Sequence, residues 1–291
     1  RSPVSDKRVE MKTAFGIGGP IIQVTTARGG RKYELPLSGS PSVPSVTTVV
    51  GETVRNMGLE IWREQWIKRG LEEITMARLS NADKDAILSA SGNEARASAE
   101  VGSQMHDIID GLLQGNQEVA VSGQLEPAVR GFLRWRQKYA DWKYIDSEVA
   151  VYFADGKYID EKSGRGMGYA GTVDALFHDP VNRRYMVVDW KTSSGIFDSA
   201  MMQVGAYCHA LDDMLLKSGQ LKLGVKVEGM VVRFDNNYPL DGDGKKVRTL
   251  PKVFSEGVQI VKVDRHKWWP VFRDCYNLRD GRKGAIQKEW L

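Results

Sequence analysis

The segment between Val173 and Lys217 restricts the fold of this chain more than any other part of the sequence. Val173 to Phe177 is apolar, the next residues favour a turn, and Arg184 to Thr192 is largely apolar again, which predicts two antiparallel strands joined as a hairpin. A helix is predicted after Asp198 and ends near Lys217. With further strands and helices on both sides, this order predicts one α/β domain.

The second predicted strand carries charged side chains next to apolar valines. Side chains alternate between the two faces of a strand, so Asp189 and Lys191 share one face and Trp190 points to the other. Considered alone, an aspartate and a lysine at this spacing are more often a salt bridge on an ordinary strand. Asp174, in the first strand, adds a second carboxylate that the hairpin brings towards Asp189.

Four further polar residues stand in apolar or strand-like surroundings. Gln203 and Tyr207 are four residues apart and share one face of the predicted helix. His106 lies on the apolar stripe of an earlier helix, where a histidine is more often a packed core residue than a ligand. Glu148 opens a third predicted strand, from Glu148 to Tyr152, and an ordinary surface position explains it as well as a functional one.

Together these motifs resemble the PD-(D/E)XK nuclease superfamily. The resemblance rests on Asp174, on Asp189-Trp-Lys191 fifteen residues later, and on the helix with Gln203 and Tyr207. The Gln-x-x-x-Tyr spacing is similar to the branch that holds the RecB nuclease domain, the CRISPR spacer-acquisition nucleases and the mitochondrial genome maintenance exonuclease.

Two more segments extend this resemblance to roughly residues 33 to 280. Gly102-Ser-Gln-Met-His106 resembles the Gly-x-x-x-His helix of the same branch. Leu37 to Gly51 resembles the segment that opens phage and mitochondrial exonucleases. Val173 departs from the pattern, because the superfamily name has a proline at this position.

The resemblance implies a restriction-endonuclease-like α/β fold, in which helices flank a mixed central sheet and a helical portion precedes it. It also implies a metal site, whose ligands would be His106, Glu148, Asp174, Asp189 and the Trp190 carbonyl oxygen. Beside the metal, Lys191 would orient a water molecule or neutralise developing charge. Gln203 and Tyr207 would hold the phosphate.

The chemistry of these side chains fits a divalent cation. Asp174 and Asp189 offer the hard oxygen ligands that suit Mg²⁺ or Mn²⁺, and an imidazole ligand from His106 would favour Mn²⁺ because imidazole is softer. Hydrolysis of a phosphodiester needs charge stabilisation and an activated water, which a bound ion and a lysine supply. A nearby cation should lower the pKa of Lys191, so a role as a base is also open.

The activity that the resemblance implies is metal-dependent hydrolysis of DNA, exonucleolytic and directed to single-stranded ends, in replication, recombination or repair. A structure-selective or nicking endonuclease would need the same residues. A catalytically idle fold that binds DNA ends is a further alternative, although the intact acid–acid–lysine set argues against it. The expected partners are single-stranded DNA or DNA with single-stranded ends, and a protein partner in recombination or replication.

Charge and cysteine content agree with these expectations without requiring them. The net charge of +4 and the pI near 8.9 favour polyanionic partners only mildly. Two cysteines argue against a disulfide framework or a zinc–thiolate site and favour a reducing compartment, such as the cytoplasm in a phage or bacterial context. The sequence has no apolar stretch of membrane-spanning length and no secretory layout at its start, so we expect neither a membrane partner nor secretion.

We predict an N-terminal extension at residues 1–45 and a nuclease domain at residues 46–291. The extension would contain a loosely ordered start, a hairpin from Ile21 to Leu35 and a connector. Residues 46–140 would form a helical wall of a DNA channel, and residues 141–291 would form the nuclease core.

The remaining elements follow from hydrophobic periodicity and turn residues. The predicted helices are Thr47 to Leu113 with breaks near Gly70 and Gly92, Glu126 to Tyr139, and a last helix capped by Asp264 that runs through Leu278. Further strands are predicted at Val225 to Phe234 and Val258 to Val263. Trp62 and Trp66, with basic residues nearby, could stack on bases, although tryptophans at this spacing more often pack in a core.

Overall fold

The computed structural model describes residues 6–26, 30–36, 42–54, 81–116, 118–121, 123, 125–155, 167–193, 195–220, 224–234 and 257–289, and only the backbone of residues 81–95 and 281–289. The predicted helix break at Gly70 and the predicted stacking residues Trp62 and Trp66 lie outside the described residues.

Five strands form the central sheet in the order β5-β6-β7-β8-β9. They are β5 Lys143–Ala154, β6 Gly168–Asp179, β7 Arg184–Lys191, β8 Lys226–Phe234 and β9 Val258–Val263. Neighbouring strands are antiparallel except β7 and β8, which run parallel. The helix α4, Asp198–Lys217, supplies the crossover connection that a parallel pair needs. The predicted hairpin and the mixed sheet are therefore confirmed.

Helices cover both faces of this sheet, as the fold prediction requires. They are α1 Val46–Thr53, α2 Asn81–Leu113, α3 Glu126–Lys138 and α5 Arg265–Glu289, in addition to α4. The core on one face is built with α1, α4 and α5, and the core on the other face with α2 and α3. Among the described helices, none combines the length and the apolar character needed to cross a lipid bilayer.

Side chains of β7 alternate between the two faces of the sheet and pack in both cores. Val187 belongs to the core under α4, whereas Val188 and Trp190 belong to the core under α2 and α3. Burial of such a valine contributes about 1.5–3 kcal/mol, so both faces of β7 hold the strand in the middle of the sheet. The predicted division of this strand into two faces is confirmed.

A glycine on β8 lets α4 lie close to the sheet. A Cβ atom at Gly229 would come within 2.4 Å of Val204 Cγ1 and 2.9 Å of Cys208 Sγ. Because these distances are shorter than van der Waals contact, any larger residue would push α4 away from β8. Gln203 and Tyr207 of α4 line the same cleft as Lys191 at the end of β7.

A second sheet precedes the central one. Its four antiparallel strands are β1 Lys7–Met11, β2 Ile21–Thr25, β3 Arg31–Glu34 and β4 Val43–Pro44. The predicted hairpin is confirmed as β2 and β3, but the expectation that residues 1–15 are loosely ordered is wrong for β1. This strand is largely exposed and is held by backbone pairing with β2. It therefore lacks the alternation of apolar and polar residues from which a strand is predicted. Buried residues of the sheet pack against β5 and β6.

Two predicted helix boundaries are wrong for the same physical reason. α2 continues through Gly92 without the predicted break, and α5 continues past the predicted end at Leu278 to Glu289. A glycine inside a helix lowers the stability of the helix by about 1 kcal/mol relative to alanine. The other interactions of a long helix outweigh this loss, so both helices continue through their glycines. The start of α5 agrees with the prediction, because the His266 N–H donates to Asp264 Oδ1 at 2.9 Å.

Candidate active site

The candidate site lies where β6 and β7 separate. Backbone pairing between them runs from Asp179 and Arg184 to Ala175 and Val188 and goes no further. Beyond this point the Trp190 N–H donates to the Asp174 carboxylate, with 2.8 Å between N and Oδ2. The side chain of Asp174 thus replaces a strand partner, and its other oxygen is turned towards α2.

His106 of α2 lies over the same separation. Its Nε2 is 3.1 Å from the Trp190 carbonyl oxygen, and its Nδ1 is 3.8 Å from Asp174 Oδ1. Because a carbonyl oxygen only accepts hydrogen bonds, this contact assigns the proton of a neutral imidazole to Nε2. The lone pair on Nδ1 then faces Asp174, which is the arrangement of a histidine ligand whose second nitrogen is held by a backbone carbonyl.

Glu148 completes a group of three residues that could hold a cation. Ligand atoms of His106, Glu148 and Asp174 all lie within 4.8 Å of one another. The prediction that Glu148 opens a strand is wrong, because the residue lies inside β5 with a φ of 50°. Non-glycine residues rarely adopt this left-handed conformation, and it costs roughly 1–2 kcal/mol. The alternation of side chains in a regular strand could not predict that Glu148 lies inside β5, because the alternation does not hold where the backbone is irregular.

The environment of Glu148 disfavours its charged form. Burial raises the pKa of the Glu148 carboxyl to about 7, and the negative charge of Asp174 contributes in the same direction. His106 and Arg31 act in the opposite sense but less strongly. The side chain is nevertheless exposed to the cleft, so it has access to solvent and ions. Two carboxylates at this distance are a site of concentrated negative charge that a divalent cation would relieve.

Asp189 and Lys191 form a separate, closed pair. Lys191 Nζ lies 2.8 Å from Asp189 Oδ1 and 2.7 Å from Oδ2, and the Asp189 side chain is only 2% exposed. Burial raises the pKa of Asp189 to about 6, against the lowering effect of Lys191. Burial also works against the charged form of Lys191, but the carboxylates of Asp189 and Asp174 outweigh it and raise the pKa of the amine. Lys191 is therefore an ammonium group here, and the lowered pKa expected beside a bound metal stays a prediction.

Gln203 and Tyr207 of α4 lie beside this pair. Gln203 Nε2 donates to the Tyr207 hydroxyl oxygen at 3.0 Å, as their spacing on one helix face allows. A Cβ atom at Gly171 of β6 would lie 2.3 Å from the Tyr207 ring, so only glycine leaves room for the ring. Burial raises the pKa of Tyr207 well above its ordinary value, so its hydroxyl stays protonated and can donate.

These side chains open into a cleft of about 620 Å³. One wall is α2, with Gly102 and Ser103, and the opposite wall comes from the N-terminal sheet, with Arg31 and Tyr33. Sequence reasoning did not identify this second wall. The Tyr33 hydroxyl lies 3.1 Å from Thr172 Oγ1 of β6, a contact across 139 positions of the chain that no local pattern could indicate.

The predicted site residues therefore come together in one place. The cleft is lined by His106, Glu148, Asp174, Lys191, Gln203 and Tyr207. Trp190 contributes main-chain atoms, and Asp189 lies beneath Lys191. Asp189 is not among the three described residues whose ligand atoms converge. The roles assigned to all these residues stay predictions.

The donor set fits a divalent metal ion. Two carboxylates and an imidazole nitrogen, with the Trp190 carbonyl next to them, are ligands that Mg²⁺ and Mn²⁺ accept. Among the ion pairs of the described residues, none joins Glu148 or Asp174 to a lysine or an arginine, whereas Asp189 is paired with Lys191.

Comparison with known proteins gives one family match. The model of the PD-(D/E)XK nuclease superfamily matches residues 65–274. No curated protein matches the chain. A solved structure described as "Crystal structure of SSO0001" is 13% identical, and the match covers 77% of this chain and 88% of that chain with a TM-score of 0.27. A TM-score this low does not show that the two chains share a fold.

Proposed function

Because this chain belongs to the PD-(D/E)XK nuclease superfamily, we propose that it is an exonuclease that degrades single-stranded DNA ends. Membership makes it a metal-dependent nuclease, a hydrolase whose substrate is DNA. The exonucleolytic mode, the strand preference and the individual site residues are the proposed parts. A role in replication, recombination or repair, with a protein partner, belongs to the same proposal.

One observation carries the assignment of the site: the ligand atoms of His106, Glu148 and Asp174 converge at the separation of β6 and β7. We assign these three residues to a Mg²⁺ or Mn²⁺ ion, with Asp189 as a further ligand, and the Trp190 carbonyl, which accepts from His106 Nε2, would hold the imidazole in place. When bound, the ion would polarise a phosphoryl oxygen and lower the pKa of a water molecule. The imidazole favours Mn²⁺ of the two.

The other side chains then have distinct tasks. Lys191, held as an ammonium by Asp189, orients the attacking water and neutralises charge on the phosphate. The Tyr207 hydroxyl accepts from Gln203 and keeps its own proton, so it can donate to a non-bridging phosphate oxygen. Both groups line the same cleft as His106 of α2.

The preference for DNA ends is supported by sequence resemblance. The Gln203 and Tyr207 spacing and the Gly102 to His106 helix are similar to the RecB-like branch, which contains exonucleases. The cleft between α2 and the N-terminal sheet is lined mainly by polar and charged side chains, and its hydroxyl groups with Arg31 and Lys191 could contact a sugar–phosphate chain.

Cleavage of labelled DNA tests the proposal directly. With Mn²⁺, a single strand labelled at the end away from the point of attack should give a ladder of progressively shortened products, a label at the attacked end should be released first, and a circular single strand should stay intact. Cleavage of the circle would instead favour an endonuclease. Binding of DNA ends without cleavage would favour the idle binder.

Substitutions at the site decide whether the assigned residues are responsible. Asp189→Ala and Asp174→Asn should each abolish cleavage while DNA binding, measured by fluorescence anisotropy, stays within a few-fold of the parent protein. A surface change such as Val181→Ser, at a residue 75% exposed in the β6–β7 turn, is the matched control and should cleave normally. Cleavage that survives both aspartate substitutions would contradict the assigned site.

A further inference from the structure

Strand β5 changes the face that it presents at Glu148. Ser147 contacts α2, whereas Val149, two residues later, packs in the core with α4. In a regular strand, residues two apart face the same side. Glu148 stands at this change in the left-handed conformation, φ 50°, and its carboxyl belongs to the group with His106 and Asp174.

A hydrogen-bonded chain fixes the residue just before this irregularity. The Ser147 hydroxyl donates to Asp110 Oδ1, and since a carboxylate only accepts, the Tyr144 hydroxyl must be the donor in its 2.7 Å contact with Ser147 Oγ. Ser147 is 4% exposed, so its hydroxyl needs these partners. The direction of the chain, from Tyr144 through Ser147 to Asp110, is thus settled by donor chemistry.

The acceptor at the end of this chain stands on the helix that carries His106. Asp110 is four residues after His106, so both project from neighbouring turns of the same face of α2. Gln114 Nε2 donates to both Asp110 oxygens at 2.9 Å and holds the carboxylate from its other side. One face of α2 therefore supplies His106 to the site and also anchors the strand that supplies Glu148.

We infer that Ser147 and Asp110 are positioning residues that hold Glu148 in the metal-binding group. This inference rests on the proposed metal site and extends it to residues outside the cluster. The Ser147–Asp110 hydrogen bond fixes β5 to α2 immediately before Glu148, where the backbone is in an unfavourable conformation. Without that bond, the unfavourable conformation of Glu148 would lose its support, and the Glu148 carboxyl would leave the group with His106 and Asp174.

Binding of Mn²⁺, measured by isothermal titration calorimetry on the full chain, tests this inference without a cleavage assay. Ser147→Ala should weaken Mn²⁺ binding by about tenfold, the size expected when a supporting contact of a ligand is removed. In a Glu148→Gln background the same substitution should change the dissociation constant by less than about twofold. The difference between the two backgrounds separates an effect through Glu148 from a general structural effect.

Asp110→Ala removes the acceptor of the Ser147 hydroxyl and gives a second route to the same measurement if Ser147→Ala does not fold, and the same pair of values is expected. Gln114→Ala removes a hydrogen bond to Asp110 that does not involve β5, so it should leave Mn²⁺ binding within about twofold of the parent. Equal weakening in both backgrounds, or no weakening in the parent, would overturn the inference. Unchanged Mn²⁺ binding in Asp174→Asn and Glu148→Gln would instead reject the metal site itself, and with it the inference.

Discussion

The two halves of the candidate site handle charge in opposite ways. Asp189 and Lys191 form a closed pair in which each charge neutralises the other, and Asp189 is almost completely buried. His106, Glu148 and Asp174 form an open group in which two carboxylates face one imidazole at the cleft. In the first half the charges balance without a bound ion, whereas in the second half a cation would neutralise two carboxylates. We call these the closed pair and the open group.

This difference predicts that loss of one charge has a different consequence in each half. Lys191→Met leaves the buried Asp189 carboxylate unpaired and should lower the free energy of unfolding by about 3 kcal/mol, the low end for buried pairs because the lysine side chain keeps 27% of its exposure. Asp174→Asn relieves repulsion with Glu148 and should lower it by less than about 1 kcal/mol. Urea unfolding without metal measures both values.

The double variant Lys191→Met, Asp189→Asn is the control for this prediction. It removes both charges of the closed pair, so it should recover more than half of the stability lost in Lys191→Met. If Asp174→Asn proved as destabilising as Lys191→Met, the division into a closed and an open half would be wrong.

The sequence predicted most of the closed pair and less of the open group. Asp189 and Lys191 lie two apart on a regular strand, so the alternation of side chains correctly placed them on the same face of β7. Glu148 was expected at a strand start, but it occupies an irregular position inside β5. Local periodicity describes regular elements, and it gives no information where the backbone departs from them.

Contacts between distant segments were also beyond sequence reasoning. The N-terminal sheet forms a wall of the cleft through Tyr33 and Thr172, although nothing in either segment indicates the other. The strands that form the central sheet and α4 were predicted because each has its own hydrophobic pattern and turn residues, whereas the mixed sheet was implied by the family resemblance. The fold was therefore more accessible from the sequence than the shape of the cleft.

Metal binding should stabilise the protein through the open group. An ion that binds the folded state alone adds about 2.7 kcal/mol to the free energy of unfolding when its free concentration is a hundred times the dissociation constant. Asp174→Asn should lose most of this gain, measured as the shift in melting temperature between Mn²⁺ and EDTA. An equal shift in the parent and in Asp174→Asn would show that the ion binds elsewhere.

Without metal, stability should fall as pH rises through the range in which the raised carboxyl groups ionise. The pKa of Glu148 is about 7 and that of Asp189 about 6 in the folded protein, both above the values of unfolded chains. Between about pH 4 and 7 the folded state holds protons that the unfolded chain has released, so this contribution disfavours folding as pH rises. We expect a loss on the order of 2 kcal/mol, after the solvent screening of Glu148 is allowed for.

A comparison between variants isolates this effect from other carboxylates. Glu148→Gln cannot ionise at this position, so its loss of stability between pH 5 and pH 7.5 in EDTA should be smaller than that of the parent. Saturating Mn²⁺ should remove much of the difference, because the bound ion favours the carboxylate form. If both proteins showed the same pH dependence, the pKa of Glu148 would not be raised.

The smallest predicted effect concerns the backbone at Glu148 rather than its charge. At a φ of 50°, glycine avoids the steric cost that a Cβ atom brings, so Glu148→Gly should be more stable than Glu148→Ala by about 1 kcal/mol. At Thr172 of β6, whose φ is not positive, the order should be reversed, with glycine about 0.5–1 kcal/mol less stable than alanine. Both variants at Glu148 lack the carboxyl, so chemical unfolding compares backbone strain alone. If alanine were the more stable residue at both positions, β5 would be regular there, and the turn of Glu148 into the open group would need another cause.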